Sequence, residues 1–301
     1  MAESTAGNIH LTQAAGSGDN VAEDRTDEWF APVPLGKKPA KIDTGVAHIA
    51  RVYNYWLGGA DNYAADREGA EEVIAAFPNI RVSVRAQRAF LGRAVHFLAA
   101  EAGIRQFLDI GTGLPSANNT HEVAQRVEPT CRIVYVDNDP IVLAHARALL
   151  GGTPEGATAY VDADLRNTGE ILEAAADVLD FAAPVAVMLV GILHCIPDRA
   201  HPYGIVAELL AAVAPGSYLV IAHPAKDINT SEVTDAAARL NRLMAEEVTM
   251  RTHSEVCAFF EGLEMVEPGV VQLHRWRIGT DEQVPSVSVE LPNYGGVGRK
   301  P

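Results

Sequence analysis

The chain has 301 residues, 24 Lys plus Arg against 39 Asp plus Glu, a formal net charge of −15 and 48% hydrophobic residues. The apolar share is enough for a sizeable core in one large domain or two small ones, and the acidic balance excludes duplex nucleic acid and anionic membrane surfaces as expected partners. Cys131, Cys195 and Cys257 are odd in number, far apart and without a C-x-x-C pair, which predicts reduced, mostly buried thiols in a cytoplasmic protein and no zinc site.

Residues 1 to about 40 are rich in Gly, Ser, Asp, Glu and Pro, cannot repay the entropy of ordering, and read as a loose tail. The opening MAESTAGNIHLTQ has neither a basic n-region nor an apolar h-region. The longest apolar stretch, AAPVAVMLVGIL at 182–193, is too short to span a bilayer, so no export or membrane role is expected. Residues 41–103 predict a helical leader in three segments. TGVAHIARVYNYWLGG has Thr44 as N-cap and a glycine pair as stop, YAADREGAEEVIAAFP ends at Pro78, and RVSVRAQRAFLGRAVHFLAAEAG closes at Gly103.

From 104 to 301 the period changes. The short runs RQFLDI, CRIVYVD, ATAYVD, APVAVMLV and GSYLVIAH alternate with helical stretches after Thr120, Asp139, Thr168 and Arg199. That rhythm predicts an α/β domain with a parallel sheet covered by helices on both faces, and the unbroken apolar character of the runs fits strands buried on two sides. Further helices are expected at 231–247 and 253–262, then strands joined by turns at Glu267-Pro268-Gly269 and around Gly295-Gly296.

The stretch FLDIGTGLPSANN, 107–119, places small residues at the carboxyl end of the first strand, where backbone N–H groups can approach a ligand. Gly111-Thr112-Gly113-Leu114-Pro115-Ser116 lacks the last glycine of a dinucleotide fingerprint. Asp109, two residues before the first glycine, instead suits the ammonium of S-adenosylmethionine. Asp137 ends the second strand, where a carboxylate can take both ribose hydroxyls, with Asn138 beside it. Asp164 closes the third, placed to accept an adenine amino group, with the Leu165 N–H offered to the ring. Singly, each aspartate could simply cap the next helix; three at successive strand ends make a joint signal.

With these motifs, RVYNYWLGGADNYAADRE, GIRQFLDIGTGLP, RIVYVDNDPIVLAHARALL, DADLRN, PGSYLVIAH and YGGVGRKP resemble an actinobacterial family of S-adenosyl methyltransferases, from about Ile42 to Pro301. The resemblance implies a class I methyltransferase fold: a Rossmann-like, seven-stranded, mostly parallel sheet with its last strand antiparallel and an added N-terminal helical segment. It puts Asp109, Gly111 and Gly113 on the first cofactor motif, Asp137 on the ribose acid, and Asp164 with Leu165 on the adenine contact. It carries no substrate. Pro115 stands where a third glycine is common and has no N–H, so donors for the methionine carboxylate must come from Asn118, Asn119 or the leader.

Methyl transfer from a sulfonium is an in-line displacement that needs alignment, exclusion of water and, for a hydroxyl or protonated amine, removal of a proton; it requires no metal. His194, after the fourth strand, is the candidate base and His223, ending the fifth, the runner-up, although histidines beside buried strands are more often structural. Tyr53, Tyr55, Trp56, Asn62 and Tyr63 cluster around Gly58-Gly59 as a lid or a clasp for a flat acceptor. Tyr53, assigned to the cofactor, Asn62 and Arg67 lean toward function, whereas Val52 and Trp56, at i and i+4, lean toward core packing. His48 gives no signal, and His121 reads as a helix cap. The expected activity is methylation of a small molecule on oxygen or nitrogen. The alternative is a cofactor-binding sensor or scaffold without transfer, because no strong catalytic constellation follows the fourth strand. An oxidoreductase is disfavoured by Asp109 and Ser116.

Overall fold

The structure, a computed structural model, describes residues 43–149, 152–244, 247–278 and 290–301. The expected N-terminal tail lies outside the described residues, as do all the residues between Ile278 and Glu290. Five parallel strands follow the apolar runs: β1 (Gln106–Ile110), β2 (Arg132–Asp137), β3 (Ala157–Asp162), β4 (Ala186–Val190) and β5 (Tyr218–Pro224). Three more close the sheet, β6 (Glu264–Met265), β7 (Val271–Gln272) and β8 (Asn293–Arg299), in the order β3-β2-β1-β4-β5-β8-β6 with β7 also on β8. β8 runs antiparallel to β5.

The strand count is eight, against seven expected, because the edge position is split. β6 pairs with Arg299 and Gly298, β7 with Gly295 and Tyr294, and between them the chain turns through Gly269, whose N–H meets Val266 O at 2.9 Å. The second expected turn is corrected: Gly295 and Gly296 lie inside β8. Their reason is close packing, since a Cβ at Gly295 would run into Leu273 and meet Phe90 at 3.0 Å.

Successive strand residues feed opposite faces. Leu108, Val134 and Val136 pack in one core, Phe107, Ile133 and Tyr135 in the other. Each such side chain contributes about 1.5–3 kcal/mol by leaving water, and both faces being apolar is why these runs do not alternate. The chain steps from β1 to β2 and β3 on one side, then to β4 and β5 on the other, so the crevice beyond the carboxyl ends of β1 and β4 is the switch point where ligands bind in such sheets.

Over that crevice lies the leader: α1 (Ile49–Leu57), α2 (Ala64–Ala76) and α3 (Ile80–Ala100). α1 starts later than expected. Thr44 sits in a bend that Arg51 holds through Val46 O at 2.7 Å, and the Asp66 carboxylate takes the His48 N–H at 2.9 Å, so His48 is the N-cap residue. The buried Arg51–Asp66 pair, at 3.0 Å, ties α1 to α2. Beyond β1 the helices are α4 (Thr120–Val127), α5 (Pro140–Leu149), α6 (Thr168–Ala175), α7 (Pro202–Ala212), α8 (Thr230–Leu243) and α9 (His253–Cys257). Val52, Trp56, Val73, Phe77 and Val84 of the leader join Leu240 and Val248 in a third core, separate from the two on the sheet. Trp56 and Val52 are both buried there, and the indole N–H donates to Ala70 O at 3.2 Å. Cys131 and Cys195 are buried, Cys257 is half-buried, and none forms a disulfide. No helix among the described residues is long and apolar enough to cross a membrane.

Candidate active site

The loop after β1 is latched to the end of β2. The N–H groups of Gly111 and Thr112 both reach Val136 O, at 2.8 and 3.3 Å, and the Gly113 N–H reaches Asp137 Oδ2 at 2.8 Å. The other Asp137 oxygen takes the Asp139 N–H at 3.0 Å, so each oxygen accepts one local backbone donor. Gly111 and Gly113 have φ of 75° and 67°, left-handed conformations that favour glycine. They differ in their surroundings. A Cβ at Gly111 would lie 2.5 Å from Ile192 Cβ, beyond β4, whereas at Gly113 it would meet nothing within 4 Å.

Asp109 is 5% exposed and accepts from Thr120 Oγ1 at 2.6 Å. Burial pushes its carboxyl up to about 6, with Thr120 and the Arg88 charge pulling back and Asp137 pushing further. Burial also raises Asp137, against the two N–H bonds it accepts. Asn119 is committed to capping α4: its Oδ1 accepts from the Ser116 N–H at 3.1 Å and its own N–H meets Glu122 at 3.1 Å. Arg88 of α3 holds the same loop through Ala117 O and Asn118 O at 3.2 and 3.0 Å. Its Nε is buried and has no partner among the described residues.

At the end of β3, Asp164 is clamped by Arg166. Oδ1 takes the Arg166 N–H and Nε, each at 2.8 Å, and Oδ2 takes Arg166 Nη2 at 2.8 Å and Asn138 Nδ2 at 3.3 Å. Burial works to raise this carboxyl, but the Arg166 bonds outweigh it and the net shift is downward. The Leu165 N–H has no backbone acceptor among the described residues. Asp109, Gly111, Gly113, Asp137, Asn138, Asp164, Leu165 and Tyr53 all line one cavity, and so does His194.

The two histidines fare differently. His194 lies in a 3-10 turn, Leu193–Cys195, with its Nδ1 buried and without a partner among the described residues. Burial, aided by the Arg251 charge, lowers it to about 4. His223 is fully buried and does not line the cavity. Its Nδ1 is 2.9 Å from Pro224 O and its Nε2 is 2.8 Å from Arg251 Nη1. Nδ1 therefore carries the proton, and the one lone pair accepts from an arginine. His223 is thereby corrected from runner-up base to a support for Arg251. That guanidinium, 1% exposed, also donates to Leu193 O and Ile196 O, each at 2.9 Å, and to Asp198 at 2.8 Å, so it brackets the turn that presents His194.

Residues 36–301 match the model of a family described as S-adenosyl methyltransferase. The chain belongs to the S-adenosyl methyltransferase family. A DUF574-family protein from Streptomyces avermitilis is 45% identical, over 87% of this chain and 100% of its own, with a TM-score of 0.83. A candidate methyltransferase from Thermobifida fusca is 41% identical, over 85% and 96% of the two chains, with a TM-score of 0.78. A search of curated proteins finds no match. The chain is a methyltransferase whose cofactor is S-adenosylmethionine.

The rest of the methyltransferase's leader cluster divides. Tyr53 faces the cavity, and its hydroxyl donates to Val84 O at 3.2 Å. Asn62 and Arg67 lie outside it and hold the loop between α1 and α2: Asn62 donates to Asn54 Oδ1 at 3.0 Å and Arg67 to Asn62 O at 2.9 Å. Tyr55 and Tyr63 are outside as well. His121 sits in the first turn of α4 with its ring against Tyr135. Sequence reasoning missed Arg88, Gln87 and His48. Ser83, Gln87 and Arg88 form a polar stripe on α3 beside buried Val84 and Leu91, and polar residues at i, i+4 and i+5 on an apolar face were the available signal. His48 Nδ1 lies 2.9 Å from Asp139 Oδ2, an ion pair when the imidazole is protonated, and as the N-cap it accepts from the Ala50 N–H at 3.4 Å when it is not.

Proposed function

We propose that this methyltransferase methylates a small molecule in the cytoplasm, on oxygen or nitrogen, with His194 as the proton acceptor. The cofactor is held by Asp109, Gly111, Gly113, Asp137, Asn138, Asp164, Leu165 and Tyr53. The observation that carries the reading is that carboxylates from three adjacent strand ends share one cavity.

When bound, S-adenosylmethionine supplies an electrophilic methyl carbon on a sulfonium. The chain's donors and acceptors suit its parts. Asp109, buried with Thr120 as its side-chain donor, gains from an ammonium partner, and the unpartnered Nε of Arg88 suits a carboxylate, the donor that Pro115 cannot provide. Each Asp137 oxygen keeps a lone pair beyond its backbone bond, a match for a ribose diol. The Leu165 N–H suits a ring nitrogen. Asp164 is more crowded, since both its oxygens already take two donors, and its adenine contact asks Asn138 or Arg166 to move. Tyr53 supplies an aromatic wall. His194 is unprotonated at neutral pH, the form a base needs, although a value lowered to about 4 makes it a weak one, and its Nδ1 has no partner among the described residues.

Isothermal titration should show micromolar binding of S-adenosylhomocysteine, weakened about 100-fold in Asp137→Ala, the loss of two hydrogen bonds to a charged group. Tight binding of NADH with none of S-adenosylhomocysteine would overturn the reading. Transfer of a tritiated methyl group into a cell extract, followed by the product's mass, identifies the acceptor; full cofactor binding without transfer to any acceptor would favour a sensor.

A further inference from the structure

We infer that the acceptor is an uncharged, largely apolar small molecule with a hydroxyl as its reacting group. The inference rests on the cofactor occupying the β1–β3 end of the cavity, as proposed above. Among the described residues, the charged side chains that line the cavity are Asp109, Asp137, Asp164, Arg88 and Arg166, all at that end, with His48 beside them. Toward β4, β5 and β8 the wall is Trp56, Ile196, Pro224, Leu240, Val248 and Met250. Trp56, Leu240, Val248 and Met250 belong to the third core, and Ile196 to the core that contains Leu189 and Ile221 of β4 and β5.

Polar groups on this side are few. Asn293 donates to Ser83 Oγ, which pairs the two with each other. Arg251 does not line the cavity, and two backbone carbonyls, His223 and Asp198 hold its guanidinium behind the His194 turn. What remains is Gln87, neutral, with its amide against Gly191 after β4, and His194 Nδ1, which has no partner among the described residues and accepts when Nε2 carries the proton. Among the described residues a carboxylate or phosphate on the ligand would find no cation here, and an ammonium no carboxylate, so either would be buried unpaired, which is strongly unfavourable. A hydroxyl can donate to Nδ1 while its apolar body covers the wall.

The test is calorimetry on the full chain saturated with S-adenosylhomocysteine, using three probes on one skeleton: 2-naphthol, 2-naphthoate and 2-naphthylmethylammonium. 2-Naphthol should bind at least tenfold more tightly than either ion. Met250→Asp should weaken it tenfold or more, and the milder Met250→Gln should do so by less, with the S-adenosylhomocysteine isotherm of each variant reporting its fold. No naphthol binding, an ion binding as tightly, or an isotherm indifferent to both substitutions overturns the inference and leaves the cofactor reading intact. Failure of S-adenosylhomocysteine itself to bind to the unsubstituted chain overturns that reading, and this inference with it.

Discussion

At the β1–β3 end, the cavity is bounded by carboxylates that accept from loop N–H groups or, for Asp109, from the Thr120 hydroxyl, whereas at the β4–β5 end it is bounded by an apolar wall and an imidazole whose Nδ1 has no partner among the described residues. The first arrangement is shorter in range, its bonds to Asp137 spanning from two residues (Asp139) to twenty-four (Gly113). The second is long-range, since the His194 turn is held by an arginine more than fifty residues further along the chain. Burial also acts on the two ends with opposite sign, because it penalises a charged acid at one and a charged base at the other. The ends meet at Gly111, whose missing Cβ lets Ile192 lie against the loop after β1.

That junction is where the largest effect is expected. Gly111→Ala would add left-handed strain of about 1–2 kcal/mol and an overpacking term of about 1–3 kcal/mol against Ile192. Gly113→Ala would add only the strain. Urea unfolding should therefore rank Gly111→Ala well below Gly113→Ala, and equal losses would mean that the two ends do not lean on each other at this point.

The acid sensitivity of the β4–β5 end comes next. His194 titrates near 4 in the folded protein, against roughly 6.5 unfolded. The folded state thus binds fewer protons between those values, and stability that is complete above about pH 6.5 falls as pH drops toward 4, by of order 3 kcal/mol. His194→Gln should flatten that part of the stability–pH curve. His223→Ala should instead destabilise even at pH 8, because it leaves a buried Arg251 N–H without its acceptor. If His223→Ala changed only the acid limb, its assignment as a support would be wrong.

At the β1–β3 end the sign reverses. The Asp109 carboxyl, raised to about 6, takes up protons in the folded state that the unfolded chain does not hold, so acidification from pH 7 to 5 relieves the fold there. Asp109→Asn keeps an acceptor for Thr120 and should raise stability at pH 8 by up to roughly 2–3 kcal/mol, while weakening S-adenosylhomocysteine. In the unsubstituted protein that affinity should also fall below pH 6, a dependence that the variant should lack. Unchanged affinity in Asp109→Asn would remove Asp109 from the cofactor's ammonium.

The difference between shorter-range and long-range construction also decides what could be read from the sequence. The strands were visible because their runs are apolar on both faces, and the three acids because Asp109 and Asp137 sit in the last residues of such runs and Asp164 two residues beyond one. Arg88 was not, because a helix arginine ordinarily marks a solvated face, and its reach to the Ala117 and Asn118 carbonyls appears only when α3 is laid over the loop. The same holds for Arg251 and for the demotion of His223. Gly295 and Gly296 read as a turn because neighbouring glycines usually make one; a strand that needs bare backbone to admit Leu273 and Phe90 has the same letters. Thr44 lost the cap to His48 because the buried Arg51–Asp66 pair fixes where α1 begins.

His48 offers the smallest effect. Burial alone would lower its pKa, but Asp139, and Asp137 behind it, raise it above the ordinary value, while His48 helps hold Asp139 below the carboxylate range. The histidine's contribution is full below about pH 6.5 and fades as pH rises through its raised value; the aspartate's is full above about pH 4 and fades below it. The pair therefore works only between those limits. With His48 about a third exposed, its worth is under about 1 kcal/mol. His48→Gln should lower the melting temperature slightly at pH 6 and leave it unchanged at pH 9. Because Asp139 also donates its N–H to Asp137, the same substitution should weaken S-adenosylhomocysteine modestly at pH 6, and more than it does at pH 9. An equal loss at both pH values would mean that His48 acts through its shape as the N-cap of α1, and that the leader is not electrostatically tied to the β1–β3 end.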